Sequence, residues 1–359
     1  MTESFQHAPI MIMAGGTGGH IFPGIAVAQE LRARDVAVVW LGSAGGLETR
    51  LVPQAGLTIE TLKITGVRGK GLLALLVAPW RIGRALLAAW RLFGRVRPHS
   101  ALALGGFAAG PGGIAAWLRR VPLLVHEQNR VPGATNRILA HFSTKRLCGF
   151  EGALADATWV GNPVRREIAA LDAPTLRFST RSGPIRLLVL GGSQGAQSLN
   201  ASMPIMLRDC AAQATVLVRH QCGEKHLHRT LQTYRDVGVD AEIRAFVDDM
   251  AAAYAWADLV ICRAGALTLA ELAAAGVASI LVPYPNAVDD HQTKNAQAMV
   301  AAGGAMLVAE GEGFVARLGD AYEKIAERAR LLEMAQAART LAKPDAAARI
   351  AEACMQVAA

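Results

Sequence analysis

The chain has 359 residues, long enough for two domains of ordinary size. Apolar residues make up 52% of it and the mean hydropathy is +0.27, which excludes a disordered chain and supplies material for two cores. The net charge of +8 sits in the first half: residues 1–163 carry 17 Lys and Arg against 8 Asp and Glu, the remainder 20 against 21, so an anionic partner is expected for the first half.

Read from the N-terminus, MTESFQHAP is polar and lacks a basic segment leading into a long apolar one, so it is not expected to be a signal peptide. Residues 10–14 follow as a short apolar strand, closed by the glycine-rich turn 15–20 (GGTGGH) and a helix. Apolar runs at 36–41, 101–104 and 123–125 read as further buried strands with helical stretches between them. The second half repeats the opening with a strand at 185–190, the turn 191–196 (GGSQGA) and a helix, then strands at 215–218, 259–262 and 280–282. Helical pattern returns near 317 and runs to the end. Such alternation predicts parallel βα units with helices on both sheet faces. The expected class is α/β, two Rossmann-like domains in tandem, with ligands at the carboxyl ends of the strands. The first domain is placed at 1–163 and the second at 164–345, and the last helix, 346–359, is expected to pack back on the first.

Residues 68–97 hold seven basic residues (Arg68, Lys70, Arg81, Arg84, Arg91, Arg95, Arg97) and no acid, with Trp80, Trp90 and several leucines among them. That is too charged to span a bilayer. It suits a segment partly buried and partly facing an anionic membrane surface, with Trp at the interface and Arg on lipid headgroups. Nucleic acid, the other anionic partner, is disfavoured by the apolar character of this stretch and the lack of stacking aromatics elsewhere. Residues 101–118 are uncharged, but their Gly and Pro content reads as strand and loop, not as a membrane span. The five cysteines are scattered without a CxxC pair, so neither a zinc site nor a disulfide framework is expected, and a reducing setting fits.

A glycine-rich turn between strand and helix lets backbone N–H groups and the helix dipole meet a phosphate. Gly15, Gly16, Gly18, Gly19, Gly191, Gly192 and Gly195 suit that use. The first turn does not make a dinucleotide fingerprint, since the G-x-G-x-x-G spacing fails at Ile21 and the strand ending at Gly42 offers no acid for a ribose. No GxxxxGK[ST] occurs. The acid pairs Asp248-Asp249 and Asp289-Asp290 are expected at loops or helix starts, so no metal site is assigned. A diphosphate ligand held without a metal or other cofactor remains.

Polar residues in apolar surroundings mark the rest of the site. His126-Glu127-Gln128-Asn129 follows a strand and is expected to project from its carboxyl end. His20 closes the first turn and could serve as a base, its free pKa lying near neutrality. Gly105 and Gly106 follow another strand and could form a second anion-binding edge with Gly15 and Gly16. In the second half Glu271 lies among small apolar residues, where a carboxylate needs hydroxyl or N–H partners. Gln292 is suggestive in the same way.

The segments GGTGGHIFPGIAVA, LGSAGGLE, ITGVRGKG, GGFAAGPGG, HEQNRVPGATN, GNPVR, GGSQGAQSLN, FVDDMAAAYAWADLVICRAGALTLAELAAAG and DDHQTKNA, in this order, resemble the MurG family. The resemblance implies a GT-B fold, two Rossmann-like domains facing each other across a cleft. It implies inverting transfer of N-acetylglucosamine from UDP-N-acetylglucosamine to the 4-hydroxyl of the muramoyl sugar of lipid I (undecaprenyl-diphospho-muramoyl-pentapeptide), forming lipid II for peptidoglycan. It also implies a peripheral place on the cytoplasmic face of the cell membrane, among cell-wall and division proteins. Carried over by position, Ser193 and its turn hold the donor diphosphate, Arg165 faces the nucleotide and Val247 meets the uracil through its backbone. Ala266, Leu267, Thr268, Leu269 and Ala270 hold sugar and phosphate, Glu271 the ribose hydroxyls and Gln292 the sugar. Thr17, Gly18, Gly19 and Asn129 approach the donor from the first domain, and Gly15, Gly16, Gly105 and Gly106 take the acceptor diphosphate. His20 and Glu127 are the candidates for the catalytic base and acceptor contacts. Two rival readings are a UDP-GlcNAc 2-epimerase-like enzyme of the same fold, and a nucleotide-sugar binding protein without turnover.

Overall fold

The structure, a computed structural model, describes residues 8–64, 71–192, 195–210 and 216–357, and for 71–78 and 288 the backbone course alone. Arg68, Lys70, Ser193 and the expected strand start at Thr215 lie outside the described residues. The chain forms two compact units, residues 1–164 with 343–359, and residues 165–342.

The first unit is built on seven parallel strands: β1 (Ile10–Ala14), β2 (Val38–Ser43), β3 (Thr58–Leu62), β4 (Ser100–Gly105), β5 (Leu123–Glu127), β6 (Lys145–Cys148) and β7 (Thr158–Trp159). Their order is β3-β2-β1-β4-β5-β6-β7. The helices between them are α1 (Gly18–Arg32), α2 (Glu48–Gln54), α3 (Gly71–Val96), α4 (Ala109–Leu118) and α5 (Ala134–Ala140). Every residue of β1 is buried, because helices cover both faces of the sheet. Its alternating side chains feed two cores. Ile10, Ile12 and Ala14 pack with Ile21, Val27 and Leu31 of α1; Met11 and Met13 pack with Ala89 and Phe93 of α3 and Ala115 and Ala116 of α4.

The second unit holds α6 (Arg166–Ala169), α7 (Pro174–Ser179), β8 (Ile185–Leu190), α8 (Gln197–Asp209), β9 (Val216–Gln221), α9 (Leu227–Asp236), β10 (Glu242–Arg244) and α10 (Met250–Trp256). It continues with β11 (Leu259–Cys262), α11 (Ala266–Ala275), β12 (Ala278–Leu281), α12 (His291–Ala301), β13 (Ala305–Leu307), α13 (Phe314–Ile325) and α14 (Arg328–Arg339). Its six strands are parallel in the order β10-β9-β8-β11-β12-β13. In each sheet the strand order reverses beside the first strand, between β1 and β4 and between β8 and β11. The crevice at such a reversal is where open α/β sheets bind ligands. Both glycine turns leave their sheets there.

The last helix, α15 (Ala346–Gln356), belongs to the first unit. Ile350, Ala351 and Cys354 join the core beside α1, and Ser100 Oγ donates to the Cys354 carbonyl at 2.7 Å. The chain rejoins this unit at Lys343, earlier than the helical pattern marks, because the Lys343 side chain stacks on Trp159 (4.2 Å) and packs against Gly161. The strands absent from the sequence reading, β3, β6, β7, β10 and β13, are short, and several of their residues are exposed or half-buried, so no continuous apolar run marks them.

Candidate active site

In the first unit the β1/β4 reversal gathers several expected residues. β1 ends at Ala14 and α1 begins at Gly18, with Thr17 at its N-cap in extended backbone (φ −132°). The opening N–H groups of α1, at Gly18 and Gly19, have no acceptor within the helix and favour an anion. His20 stands half-buried in this first turn, its Nδ1 3.1 Å from the Gly15 carbonyl and 3.4 Å from Thr17 Oγ1. A carbonyl only accepts, so Nδ1 carries the proton in that bond and the neutral ring keeps its lone pair on Nε2. Burial pushes the His20 pKa below its ordinary value, against the opposing influence of the Gly15 carbonyl and the Glu127 and Glu48 carboxylates. The ring is therefore neutral near pH 7 and Nε2 can accept a proton.

A bulge in β4 completes this corner. Met13 pairs with Ala103 but Ala14 with Gly105, which brings Gly105 and Gly106 alongside. Gly105 has φ +114°, a conformation other residues rarely adopt. A Cβ there would stand 2.9 Å from His20 Nε2, and one at Gly106 would strike the Gly15 carbonyl. The structure thus brings Gly15, His20, Gly105 and Gly106 together.

One residue in this corner was not singled out from sequence. Glu48, fully buried at the start of α2, accepts from the Gly16 N–H (3.0 Å) and the Ser43 N–H (2.8 Å). Its carboxylate occupies the space that side chains at Gly15, Gly42 or Gly46 would need. The available signal was a carboxylate closing the glycine-rich segment LGSAGGLE after a buried strand. Of the residues expected at an acceptor diphosphate, Gly16 thus has its N–H directed to this carboxylate.

The expectation for 126–129 is corrected as well. β5 extends through Glu127, and His126, Glu127 and Gln128 are all buried. His126 Nε2 donates to the Gly161 carbonyl (2.9 Å), and burial lowers its pKa to about 4. Glu127 is 1% exposed. Its Oε1 accepts from the Asn129 N–H (2.9 Å) and Nδ2 (3.3 Å), its Oε2 from the Gly133 N–H (3.1 Å) and Asn136 Nδ2 (3.0 Å). Bonds to a charged acceptor are worth about 1.5–3 kcal/mol each. Glu127 therefore braces the β5–α5 loop and holds Asn129. Within this unit it is a framework carboxylate that acts on His20 through its charge, not an exposed base.

In the second unit the turn after β8 leans on the end of β9. Gly191 N–H donates to the Gln221 carbonyl (2.9 Å), and Gln221 Nε2 donates to the Gly192 carbonyl (2.9 Å). α8 starts just beyond the turn. Arg263, after β11, donates to Ser198 Oγ at the start of α8 (3.0 Å) and pairs with Glu310.

α11 opens at Ala266 with Gly265 at its N-cap, so Ala266, Leu267 and Thr268 present the orphan N–H groups of its first turn. Leu269 is 3% exposed and belongs to the interior. Glu271 lies further along the helix, its side chain 16% exposed. It accepts from Arg165 Nη2 (2.9 Å) and Nε (3.3 Å) and from the Tyr254 hydroxyl (3.0 Å). Two expected residues are thus joined across 106 positions of sequence. Tyr254 was missed, since a tyrosine in an alanine-rich helix carries no local sign of its partner. Val247 lines a pocket of about 240 Å³ together with Arg219, Gln221, Arg244, Asp248 and Asp249. Gln292 Oε1 accepts from the Tyr284 N–H (2.9 Å). The acid pairs lie at helix starts: Asp249 Oδ1 accepts from the Ala252 N–H (2.8 Å), and Asp290 occupies the N-cap of α12.

On the first unit, Trp80, Ile82, Leu87 and Trp90 of α3 and Trp117 and Leu118 of α4 are exposed. Arg81, Arg84, Arg91 and Arg95 are exposed on the same α3 helix, and Arg119 stacks on the Trp90 ring at 3.7 Å. Among the described residues no helix is long and apolar enough to cross a membrane.

Comparison with known proteins gives two matched regions. The model of the glycosyltransferase family 28 N-terminal domain matches residues 10–147, and that of the C-terminal domain residues 186–350. A Xylella fastidiosa (strain M12) protein, named UDP-N-acetylglucosamine–N-acetylmuramyl-(pentapeptide) pyrophosphoryl-undecaprenol N-acetylglucosamine transferase, is 57% identical over 96% of this chain and 94% of its own. The crystal structure of Acinetobacter baumannii MurG matches with a TM-score of 0.85 and 35% identity over 97% of this chain and 99% of that one. A UDP-GlcNAc 2-epimerase from Neisseria meningitidis matches with a TM-score of 0.66 at 11% identity over 97% of this chain and all of its own, a likeness of fold alone.

Proposed function

The chain belongs to the MurG family of glycosyltransferases, of GT-B fold, and on that footing we propose that it transfers N-acetylglucosamine from UDP-N-acetylglucosamine to lipid I. The observation that carries this reading is the 57% identity, over 96% of the chain, to a protein named for that transfer.

The 4-hydroxyl of the muramoyl sugar attacks the anomeric carbon of the donor. The new C1–O bond forms as the bond to the UDP phosphate oxygen breaks, and the configuration at C1 inverts. His20 Nε2 takes the hydroxyl proton, its lone pair kept free by the Nδ1 bond to Gly15. The Glu127 and Glu48 carboxylates then favour the imidazolium as it forms.

In the second unit charge gathers on the departing diphosphate. The N–H groups opening α8 and α11 stabilise it, with their helix dipoles, in the role a metal plays elsewhere. Glu271 accepts from the ribose hydroxyls, oriented by Arg165 and Tyr254. Val247 offers its backbone to the uracil, Gln292 meets the sugar, and the turn that includes Ser193 takes the diphosphate.

The first unit lies against the cytoplasmic face of the membrane, where the exposed Trp, Ile and Leu of α3 enter the headgroup layer and its Arg side chains meet anionic lipid. Each such Arg adds about 1 kcal/mol.

The test is transfer of labelled N-acetylglucosamine to a lipid I analogue in the presence of EDTA. Transfer with UDP release is expected. A requirement for a divalent ion would refute the metal-free mechanism. UDP release without acceptor would point to an epimerase-like enzyme, and binding without turnover to a nucleotide-sugar carrier.

A further inference from the structure

We infer that Glu48 is a positioning residue for the His20 base, acting through the single peptide group that joins Gly15 to Gly16. The two ends of that group are occupied by these two side chains. Its carbonyl, on Gly15, accepts from His20 Nδ1 at 3.1 Å, and its N–H, on Gly16, donates to Glu48 Oε2 at 3.0 Å. A carboxylate on the N–H end polarises a peptide group and makes its carbonyl oxygen more negative. The Gly15 carbonyl then grips the Nδ1 proton more strongly and disfavours the tautomer that would place the proton on Nε2.

The carboxylate cannot swing away. Its other oxygen is held by the Ser43 N–H at the end of β2 (2.8 Å), and the side chain is fully buried. Glycines at 15, 42 and 46 leave the room it needs, since a side chain at any of them would collide with it. The charged groups acting on His20 are Glu48 from α2 and Glu127 from β5. Both reach the ring through their fields, and Glu48 reaches it through hydrogen-bonded atoms as well. A carboxylate that orients an imidazole usually bonds the ring directly; here a peptide group stands between them, and no proton need move along it.

The inference rests on the reading of His20 as the base. The experiment labels the histidine ring nitrogens with ¹⁵N in the full chain and follows His20 across pH, its signals assigned by their absence in His20→Ala. In the unaltered protein the neutral ring is expected with its proton on Nδ1; a proton on Nε2 would overturn the inference without need of any variant. Glu48→Gln keeps the size and removes the charge. It should add the Nε2–H tautomer, move the His20 titration to lower pH because the carboxylate's upward influence is lost, and lower kcat about 10- to 100-fold with KM for UDP-N-acetylglucosamine little changed. A Glu48→Gln ring with unchanged tautomer, whether or not its titration moves, would leave Glu48 as a loop brace or a distant charge only and refute the inference. The two readings fail separately. Undiminished turnover in His20→Ala removes the base, while loss there beside an unaltered ring in Glu48→Gln removes the role of Glu48 alone.

Discussion

The two glycine turns look alike in sequence and are held in opposite ways. The turn 15–20 rests on a buried carboxylate, Glu48, and closes on an imidazole. The turn after β8 rests on a neutral amide, Gln221, and closes on the start of α8. A buried negative charge beneath a loop weakens its hold on an anion, and a neutral amide does not. On the proposed reading the difference separates their work: the first turn would orient a base, and the second would be left free to meet the charge of a diphosphate.

The largest expected effect breaks the first turn alone. His20→Ala should lower kcat about 10²- to 10⁴-fold while KM for the UDP-sugar stays nearly constant, as steady-state kinetics would show. In the unaltered enzyme the base must be unprotonated, so kcat should fall as pH drops through the His20 pKa. Because burial lowers that pKa, the acid limb should lie below the ordinary imidazole value of about 6.5. A limb above it would contradict the described environment.

The next effect belongs to the second unit. Glu271→Gln removes a charged acceptor from Arg165 and, on the proposed reading, from the ribose, a loss of about 1.5–3 kcal/mol, so KM for the donor should rise roughly 10- to 150-fold. A fall in kcat without a change in KM would move Glu271 out of donor binding.

Each unit also buries one neutral histidine, His126 with its pKa lowered to about 4 and His220 to about 3. Both folded values lie below the unfolded value, so the stability they allow is full above about pH 6.5 and is lost as pH falls toward those values. Denaturant unfolding at pH 5 against pH 7 should show a loss of about 2 kcal/mol for each histidine. His126→Gln should reduce the loss for the first unit and leave the second as it was.

The smallest effect sharpens the comparison. Gln221→Leu removes the amide bond to the Gly192 carbonyl, about 1 kcal/mol, and should raise donor KM roughly fivefold. The His20 titration should not move, whereas Glu48→Gln shifts it; equal shifts in both variants would erase the distinction between the turns.

Much of this was legible in the chain. Residues 10–14 and 259–262 read as buried strands because each is an unbroken apolar run, and 185–190 does so with Arg186 as its one polar residue; helices do cover both faces of their sheets. His20 stands out in the sequence because a titratable ring at a strand-to-helix turn is rare without a purpose. Glu127 stands out for a similar reason, but its surroundings do not follow from the sequence. Its side chain is turned inward onto donors from 129, 133 and 136, and nothing in HEQN announces that direction. Glu48 was passed over inside a segment already quoted, since its partner Gly16 lies 32 residues away on a separate turn and the bond from Ser43 depends on how the loop between them folds.

The sequence by itself determined two βα frameworks, their opening glycine turns and the basic, Trp-bearing surface of the first half, because apolar period, glycine and charge act locally. Only the tertiary structure decided which turn carries a charge beneath it, that Arg165 and Glu271 meet across 106 positions, and that a bulge in β4 sets Gly105 against His20. Hydrogen-bond partners and burial depend on which distant segments the sheet order brings together, and that order is written in no single stretch of the chain.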